Sequence, residues 1–376
     1  MTSGERFSVI YHVTGNDKEA YAKAQDICVE QTIEYPYELL APGFIKNEVV
    51  GRIESFAPLK SNQGHRVVIN YAIELAANEL TQLLNVVFGN ISIKPGILVD
   101  QLILPDSLLN VFKGPRFGRE GLRQVLGVFD RPLLFAAIKP MGLNSVQLAD
   151  IVYRCALGGI DIIKDDHGLS NQTFAPFEER VTLCSEAVHR ANRETGRNSI
   201  YVPNITAPAN EILSRSQFAK QAGVGGLLAS PALIGLDTMR WLSDEDSLAL
   251  PIISHPAFQG SYITSAAHGF GFSHYALYGQ ISRLAGADAV IYPNFGGRFS
   301  FSIDECRAIV RGTEEVMGHL KSIFPSPGGG MTIERIPELL DVYGKDVAFL
   351  MGGGLFKQGP DLVKNCRYFL DLVEKV

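Results

Sequence analysis

The sequence lacks the features that would mark a membrane, secreted or nucleic-acid-binding protein. Its apolar runs are short, such as the one from Arg131 to Lys139, and none approaches the ~20 residues that cross a bilayer. The segment from Met1 to Arg6 has no basic-then-apolar signal. Five scattered cysteines form no CxxC pair, which is typical of a reduced cytoplasm. A net charge of −6 argues against a general nucleic-acid binder. We therefore expect a cytoplasmic protein with neither a membrane nor a nucleic-acid partner.

What the sequence does contain is enough apolar surface for a large folded core. The 376 residues are 46% hydrophobic and 20% charged, which excludes a disordered chain or a coiled coil. A chain of this length suggests two domains, and it needs no disulfide or structural metal to fold. Glycine is in excess, with 37 residues against a usual share of ~7%.

The N-terminal part alternates between strand and helix patterns. Period-two alternation predicts strands at 7–13, 48–56, 66–73 and 96–104, and helical spacing predicts helices at 18–34 and 75–88. Residues 61–64 form a turn signal between two of the strands. The order β-α-β-β-α-β is typical of a ferredoxin-like domain, which we expect over residues 1–112.

The remainder of the chain repeats a short apolar run followed by a helical stretch. The eight runs are 133–138, 159–163, 199–204, 225–230, 251–254, 288–292, 322–325 and 347–351. Eight such units predict an α/β fold, a parallel (β/α)₈ barrel over residues 125–376. A doubly wound sheet would carry a glycine fingerprint after its first strand, and none follows Ile138.

Chemistry in such barrels lies at the C-terminal ends of the strands, so these ends give the candidate site. The candidates are Lys139 after the first strand, Lys164, Asp166 and His167 after the second, His255 after the fifth, Arg298 after the sixth, Ser326, Gly328, Gly329 and Gly330 on or after the seventh, and Gly352, Gly353 and Gly354 after the eighth. The two glycine triplets thus follow adjacent strands, where this fold commonly binds phosphate.

Each candidate has a structural and a functional interpretation. Glycine triplets occur in tight loops, but two of them at adjacent strand ends favour backbone N–H groups that bind a phosphorylated ligand. Lys164 beside Asp166 is either an ion pair or part of a divalent-metal site, in which a carbamylated lysine supplies the oxygen that a hard cation prefers. Lys139 and His255 are candidate acid and base groups, although a lone histidine is often structural.

Several segments resemble the large subunit of RuBisCO over nearly the whole chain. They are Gly114–Gly118, Arg131–Leu134, Ile138–Pro140, Gly158–Asp166, His255 and the two glycine triplets. The departures from the family pattern resemble the RuBisCO-like proteins rather than the carboxylases. Met141 replaces a lysine, His167 replaces a glutamate of the metal-binding segment, Pro256 replaces an arginine, and Arg298 stands for the lysine of the flexible loop.

The resemblance implies proton abstraction next to the ketone of a small phosphorylated sugar, through a Mg²⁺-stabilised enediolate. It implies that Lys164, as a carbamate, holds Mg²⁺ with Asp166 and His167. Lys139 would move protons, and His255 would orient the substrate or relay protons. The glycine triplets with Ser326 would bind the phosphate, and Arg298 would close over it. An antiparallel homodimer with a shared active site is also implied.

The nearest branches suggest an isomerase of methylthioribulose 1-phosphate or a similar ketose. A 2,3-diketo-5-methylthiopentyl-1-phosphate enolase is an alternative, but its base would be a lysine that Lys94 matches only out of register. Two further alternatives stay open. One is a decarboxylase or carbon–carbon hydrolase of a branched 3-oxo sugar-acid phosphate, and the other is a sugar-phosphate-binding paralogue without turnover.

Overall fold

The computed structural model describes residues 2–60, 64–263, 270–299 and 301–374. The strands are β1 (Arg6–Val13), β2 (Arg52–Pro58), β3 (His65–Ala72), β4 (Ile97–Ile103), β5 (Leu133–Ala137), β6 (Ile162–Lys164), β7 (Ile200–Val202), β8 (Leu227–Ala229), β9 (Ile252–Ser254), β10 (Gly271–Phe272), β11 (Ala289–Pro293), β12 (Phe324–Gly328) and β13 (Ala348–Met351).

The α-helices lie between these strands. They are α1 (Asp17–Glu30), α2 (Leu80–Phe88), α3 (Asp106–Leu109), α4 (Gly118–Leu126), α5 (Ser145–Leu157), α6 (Phe177–Thr195), α7 (Ile212–Gln221), α8 (Pro231–Ile234), α9 (Leu236–Asp244), α10 (Ser282–Leu284), α11 (Ile303–Glu314), α12 (Ile336–Tyr343), α13 (Gly353–Phe356) and α14 (Leu362–Val373). Short 3₁₀ turns occur at Tyr37–Leu39, Ile73–Ala76, Asn90–Ile93, Gln259–Ser261 and Ile333–Arg335, and π-helical turns at Ile45–Val49 and Tyr275–Ile281.

The N-terminal strands form the expected ferredoxin-like sheet, with β1 antiparallel to both β3 and β4 and β2 antiparallel to β3. In β1 the side chains of Phe7, Val9, Tyr11 and Val13 alternate into the core, as the period-two pattern predicts. The sequence pattern missed β10, which adds to the edge of this sheet by pairing parallel to β4. Strand β10 follows the fifth barrel strand along the chain, so it ties the barrel to the N-terminal sheet.

Eight parallel strands form the predicted barrel in two hydrogen-bonded arcs, β13-β5-β6-β7 and β8-β9-β11-β12. A bridge between Asn204 and Leu228 joins β7 to β8, and β12 packs beside β13. Alternate apolar side chains of the strands fill the barrel interior, and Leu122 and Leu126 of α4 close one end of this cluster. A packed interior of this kind leaves the opposite strand ends free for a site.

Several predicted element ends are wrong by a few residues. The first helix ends at Glu30 rather than at residue 34, and Glu34 has a left-handed backbone with φ +44°. The predicted strand 48–56 begins later because residues Ile45–Val49 form a π-helical turn. Most of the predicted turn, residues 61–63, lies outside the described residues. The domain limits at 112 and 125 stay predictions. Within the described ranges, no helix is long and apolar enough to cross a membrane.

Candidate active site

A cavity of about 890 Å³ opens at the C-terminal ends of the barrel strands. The sequence-predicted residues that line it are Lys139, Lys164, Asp166, His167, His255, Arg298, Gly328, Gly329, Gly330, Gly352, Gly353 and Gly354. Ser326 is the exception. It lies on β12 below the cavity, is fully buried, and does not line it. The barrel therefore gathers into one cavity residues that are spread over more than 200 positions of sequence.

Lys164 lies at the end of β6 and is almost fully buried, with 2% of its surface exposed. Its ammonium nitrogen donates to the backbone carbonyl of Asp165 at 2.9 Å. Burial disfavours the charged form and lowers the pKa of Lys164 to about 7, and the nearby charge of Lys139 acts in the same direction. A large share of this amine is therefore neutral near pH 7, which is the form that reacts with CO₂.

Asp166 lies beside Lys164 and forms an ion pair with the half-exposed Lys139. Its other oxygen accepts from the backbone N–H of Gly168 at 3.0 Å. The pKa of Lys139 is lowered, first by burial and then by the charge of Arg298. Lys139 is therefore a lysine that gives up its proton more easily than a lysine in water.

Asp165 points away from the cavity, although it stands between two cavity residues. Its carboxylate accepts from the hydroxyl of Tyr201 at 2.6 Å, from Nε of Arg180 at 3.2 Å and from the backbone N–H of Asn204 at 3.0 Å. All four residues are buried, so the charge of Asp165 is balanced by Arg180 inside the protein. The alternation of the chain thus separates a structural aspartate from Asp166 in the cavity.

His167 and His255 meet across the cavity floor with their rings stacked. Nδ1 of His255 accepts from the backbone N–H of Ala257 at 3.1 Å. Burial, followed by the charges of Lys164, His167 and Lys139, lowers the pKa of His255 well below its ordinary value. His255 is therefore neutral near pH 7, and because Nδ1 accepts, its proton is on Nε2. It is a hydrogen-bond donor to whatever occupies the cavity.

The backbone conformation of the first glycine triplet favours glycine. Gly329 and Gly330 have φ angles of +79° and +102°, which only glycine adopts readily. Arg298 follows the β11 end, is exposed at the cavity rim, and contacts this loop, since its backbone N–H donates to the carbonyl of Gly329 at 3.3 Å. The guanidinium of Arg298 lies 4.9 Å from the ring of Phe299. The rim thus places the cation of Arg298 beside a glycine turn of the β12 end.

The sequence did not assign His274 or Glu305 to the site, and both line the cavity. His274 follows β10 and is buried, and Glu305 lies in the first turn of α11. Their side chains face each other, with Nδ1 of His274 3.7 Å from Oε1 of Glu305. The two residues are 31 positions apart, so no local pattern connects them. The rest of this wall is aromatic or aliphatic: Phe258, Ile263, Tyr278, Ile291 and Phe301.

Ordinary ligand side chains supply only part of the metal site that the sequence predicts. Nδ1 of His167 lies 3.1 Å from Oδ1 of Asp166. Burial, with the charges of Lys164, Lys139 and Arg298, lowers the pKa of His167, so its ring is neutral as a ligand requires. Among the described residues, no three His, Cys, Asp or Glu side chains are grouped to hold a metal ion. A metal at this point therefore needs a further ligand.

Comparisons with known proteins agree with this architecture. Residues 118–359 match the model of the ribulose bisphosphate carboxylase large chain, catalytic domain. The chain is 34% identical over 368 residues to a 5-methylthioribulose-1-phosphate isomerase of Rhodospirillum rubrum. This match covers 97% of this chain and 96% of that protein. It is 33% identical over 310 residues to a 2,3-diketo-5-methylthiopentyl-1-phosphate enolase of Bacillus licheniformis, covering 81% and 76%.

A solved structure gives the same result for the fold. The crystal structure of a Rubisco-like protein from Rhodopseudomonas palustris superposes with a TM-score of 0.89. The two chains are 34% identical, and the match covers 98% of each. Both domains of the chain are therefore included in the similarity.

Proposed function

Because this chain belongs to the ribulose bisphosphate carboxylase large-chain family, we propose that it is an isomerase of a small phosphorylated ketose such as methylthioribulose 1-phosphate. The reaction would remove a proton from a carbon next to the carbonyl, pass through an enediolate, and return the proton to a neighbouring carbon. The observation that carries the proposal is Lys164. A fully buried lysine, whose ammonium donates to a backbone carbonyl, faces a cavity beside Asp166.

The residues of the cavity floor fit a Mg²⁺ ion if Lys164 carries CO₂. The carbamate would supply the oxygen ligand that the described groups otherwise lack, and Asp166 and His167 would complete the protein's share. Burial of the neutral amine favours that modification because the carbamate forms from the uncharged nitrogen. A bound Mg²⁺ would act as a Lewis acid that polarises the substrate carbonyl.

The other cavity residues would do the proton chemistry. Lys139 is the proposed proton carrier, since its lowered pKa brings its neutral form closer to the operating pH. His255 presents Nε2–H to the cavity and would donate to a substrate oxygen on which negative charge develops. Lys139 follows β5 and His255 follows β9, which stand on opposite sides of the barrel mouth. A substrate would therefore lie between a proton acceptor and a hydrogen-bond donor.

The glycine loops would bind a single phosphate through backbone N–H groups, with Arg298 over it.

Two departures from the carboxylase pattern argue against fixation of CO₂. Met141 stands where a second lysine is expected, and its side chain packs over Gly168 outside the cavity lining. Pro256 lines the cavity where an arginine is expected, and it offers no charge for a second phosphate.

The diketo-phosphate enolase is the second candidate, supported by the similarity to the Bacillus licheniformis enzyme. Lys94, the lysine nearest to the expected base, disfavours it. Its nitrogen pairs with Asp26 at 2.6 Å and with Glu30 at 3.6 Å. Partial burial acts to lower the pKa of Lys94, but the two carboxylates raise it overall, which holds the proton on the nitrogen. A general base needs the opposite.

We also propose that the active site is completed in a homodimer, in which the N-terminal domain covers the partner's barrel mouth. The segment between α1 and β2 supports this, because Tyr35, Tyr37, Leu39, Phe44 and Ile45 are all exposed. Apolar side chains gathered on one exposed segment commonly mark a protein interface. Sedimentation of the purified protein at micromolar concentration should give twice the monomer mass, and a monomer would contradict the dimer.

The test of the function is turnover of methylthioribulose 1-phosphate by purified protein, with and without Mg²⁺ and bicarbonate. We expect a phosphorylated isomer as product, incorporation of solvent deuterium next to the carbonyl, and loss of both in Lys164→Met. Asp165→Asn is unsuitable as a control because Asp165 is structural, so His189→Gln, on the outer face of α6, serves instead. Absence of deuterium exchange into any sugar phosphate would overturn the proposal, and release of CO₂ or of a shorter product would indicate the lyase alternative.

A further inference from the structure

His274 is a buried polar group on the otherwise apolar wall of the cavity. Only 6% of its surface is exposed, and its ring packs edge-on against Phe301 at 4.4 Å and stacks at 6.2 Å with Tyr278. It lies between β9 and β11 along the chain. Around the barrel these strands stand opposite β5 and β6, and His274 lines the same cavity as Lys139 and Lys164.

Glu305 places a carboxylate beside the His274 ring. One carboxylate oxygen of Glu305 accepts from the backbone N–H and the hydroxyl of Ser302 at 2.8 and 3.0 Å, as part of the capping box that begins α11. The other oxygen lies 3.7 Å from Nδ1 of His274. A carboxylate only accepts, so its charge favours the tautomer with the ring proton on Nδ1 and the lone pair on Nε2.

Nε2 of His274 is buried and has no hydrogen-bond partner within the described part of the chain. A buried acceptor without a partner costs free energy, and such groups are often completed by a ligand. Burial lowers the pKa of His274, while Glu305 opposes the change, so the ring is neutral near pH 7. Besides His167, the cavity therefore holds two neutral histidines of opposite character, a donor in His255 and an acceptor in His274.

We propose that Nε2 of His274 accepts a hydrogen bond from a hydroxyl group of the substrate, with Glu305 as its positioning residue. This inference rests on the proposed function. With the phosphate at the glycine loops and the carbonyl at Lys164, the far end of a ketose 1-phosphate reaches the wall that carries His274. The hydroxyl on carbon 4 of methylthioribulose 1-phosphate is the group we assign to it, and the apolar side chains beside it would contact the rest of the tail.

The test compares methylthioribulose 1-phosphate with its 4-deoxy analogue as substrates. We expect the wild-type protein to prefer the hydroxylated compound by about tenfold in kcat/KM, which is the effect of one buried hydrogen bond. His274→Phe should lose this preference, because its kcat/KM should fall for the hydroxylated compound and stay unchanged for the 4-deoxy analogue. His274→Gln, whose side-chain oxygen reaches the same position, should keep part of it. His189→Gln is the control outside the cavity. An unchanged preference in His274→Phe would overturn the inference.

A second measurement does not depend on turnover. The ¹⁵N spectrum of the wild-type imidazoles, assigned with His274→Gln, should show His274 protonated at Nδ1 and bare at Nε2. Glu305→Gln keeps the capping box, since glutamine also serves at that position, and should weaken this tautomer preference. A proton on Nε2 of His274 in the wild type would overturn the inference. If the wild-type protein turns over neither compound, the proposed function fails, and this spectrum alone decides the role of His274.

Discussion

The imidazole rings of His167 and His255 stack with 4.5 Å between their centroids and 13° between their planes. His167 follows β6 and His255 follows β9, so the contact spans the barrel mouth. The pKa of each ring is lowered, first by burial and then by nearby lysines, so neutral rings meet without charge repulsion. The stack holds His167 where its Nδ1 lies beside Asp166. The ring of His255 therefore positions a proposed metal ligand.

This arrangement predicts an altered metal preference. With an imidazole in place of a carboxylate, the wild-type site should favour Mn²⁺ or Co²⁺ over Mg²⁺ more than an all-oxygen site does. His167→Glu should shift the ratio of dissociation constants toward Mg²⁺ by roughly tenfold. Calorimetric titration in the presence of bicarbonate measures the ratio. His167→Phe is the control, since it keeps a ring for the stack but no ligand atom. Equal ratios in wild type and His167→Glu, or anomalous scattering that places the metal away from residue 167, would contradict the prediction.

The buried Lys164 predicts a pH dependence of stability. Its pKa in the folded protein is lowered to about 7 from 10.5, so between these values the unfolded chain binds more protons. The free energy of unfolding must then rise with pH over that window, and the penalty is largest below pH 7. Relative to Lys164→Met, the wild-type protein should gain about 2–3 kcal/mol between pH 7 and 9, at about 1.4 kcal/mol per pKa unit.

Urea unfolding of both proteins in metal-free and CO₂-free buffer measures this difference. Lys113→Met, at an exposed lysine, is the matched control and should show no such change. A difference between wild type and Lys164→Met that stays constant from pH 7 to 9 would mean that Lys164 keeps its proton throughout.

Arg298 predicts the position of the limb on which activity rises with pH. Its charge adds to burial in lowering the pKa of Lys139. If neutral Lys139 takes the proton, kcat/KM rises as the pH passes that pKa. Arg298→Met should raise the pKa of Lys139, move the rising limb to higher pH, and reduce the rate at pH 7. Arg298→Lys keeps the charge and should keep the limb in place. A limb that does not move in Arg298→Met would show that another group titrates.

The barrel was predictable from the sequence because its strands are buried on both faces. Each of the eight apolar runs overlaps one strand, although β6, β11 and β12 extend one to three residues past the predicted run. The polar residues that end these runs meet at one end of the barrel. Alternation along the chain also separates Asp165 from Asp166. The short β10 was not predictable, since a two-residue strand has no pattern of its own and is defined only by its partner β4.

The missed site residues depend on contacts between distant elements. His274 acquires its character from Glu305, which helix α11 brings to it, and neither residue is unusual in its local sequence. Lys94 matches a possible base by its place in the chain, but α1 supplies the carboxylates that hold its proton. Sequence spacing gives the residue type at a strand end, and only packing gives the charge and the partner of that residue.

In the second triplet, Gly353 distinguishes the phosphate proposal from an explanation by loop geometry alone. A Cβ at Gly354 would lie 2.5 Å from the carbonyl oxygen of Met331, so packing alone requires glycine there. A Cβ at Gly353 would meet nothing within 4 Å and would project into open space at a residue that lines the cavity. The backbone of Gly353 also has no positive φ. Folding therefore does not require glycine at this position.

We expect Gly353→Ala to fold with a free energy of unfolding within about 0.5 kcal/mol of wild type, but to bind methylthioribulose 1-phosphate at least about tenfold more weakly. The added methyl group would occupy the space through which an anion approaches the backbone N–H groups. Gly354→Ala should instead lose about 1–3 kcal/mol of stability through its clash with the Met331 carbonyl. Urea unfolding and calorimetric titration in metal-free buffer separate the two effects. Wild-type affinity in a well-folded Gly353→Ala would show that the phosphate does not bind at this triplet.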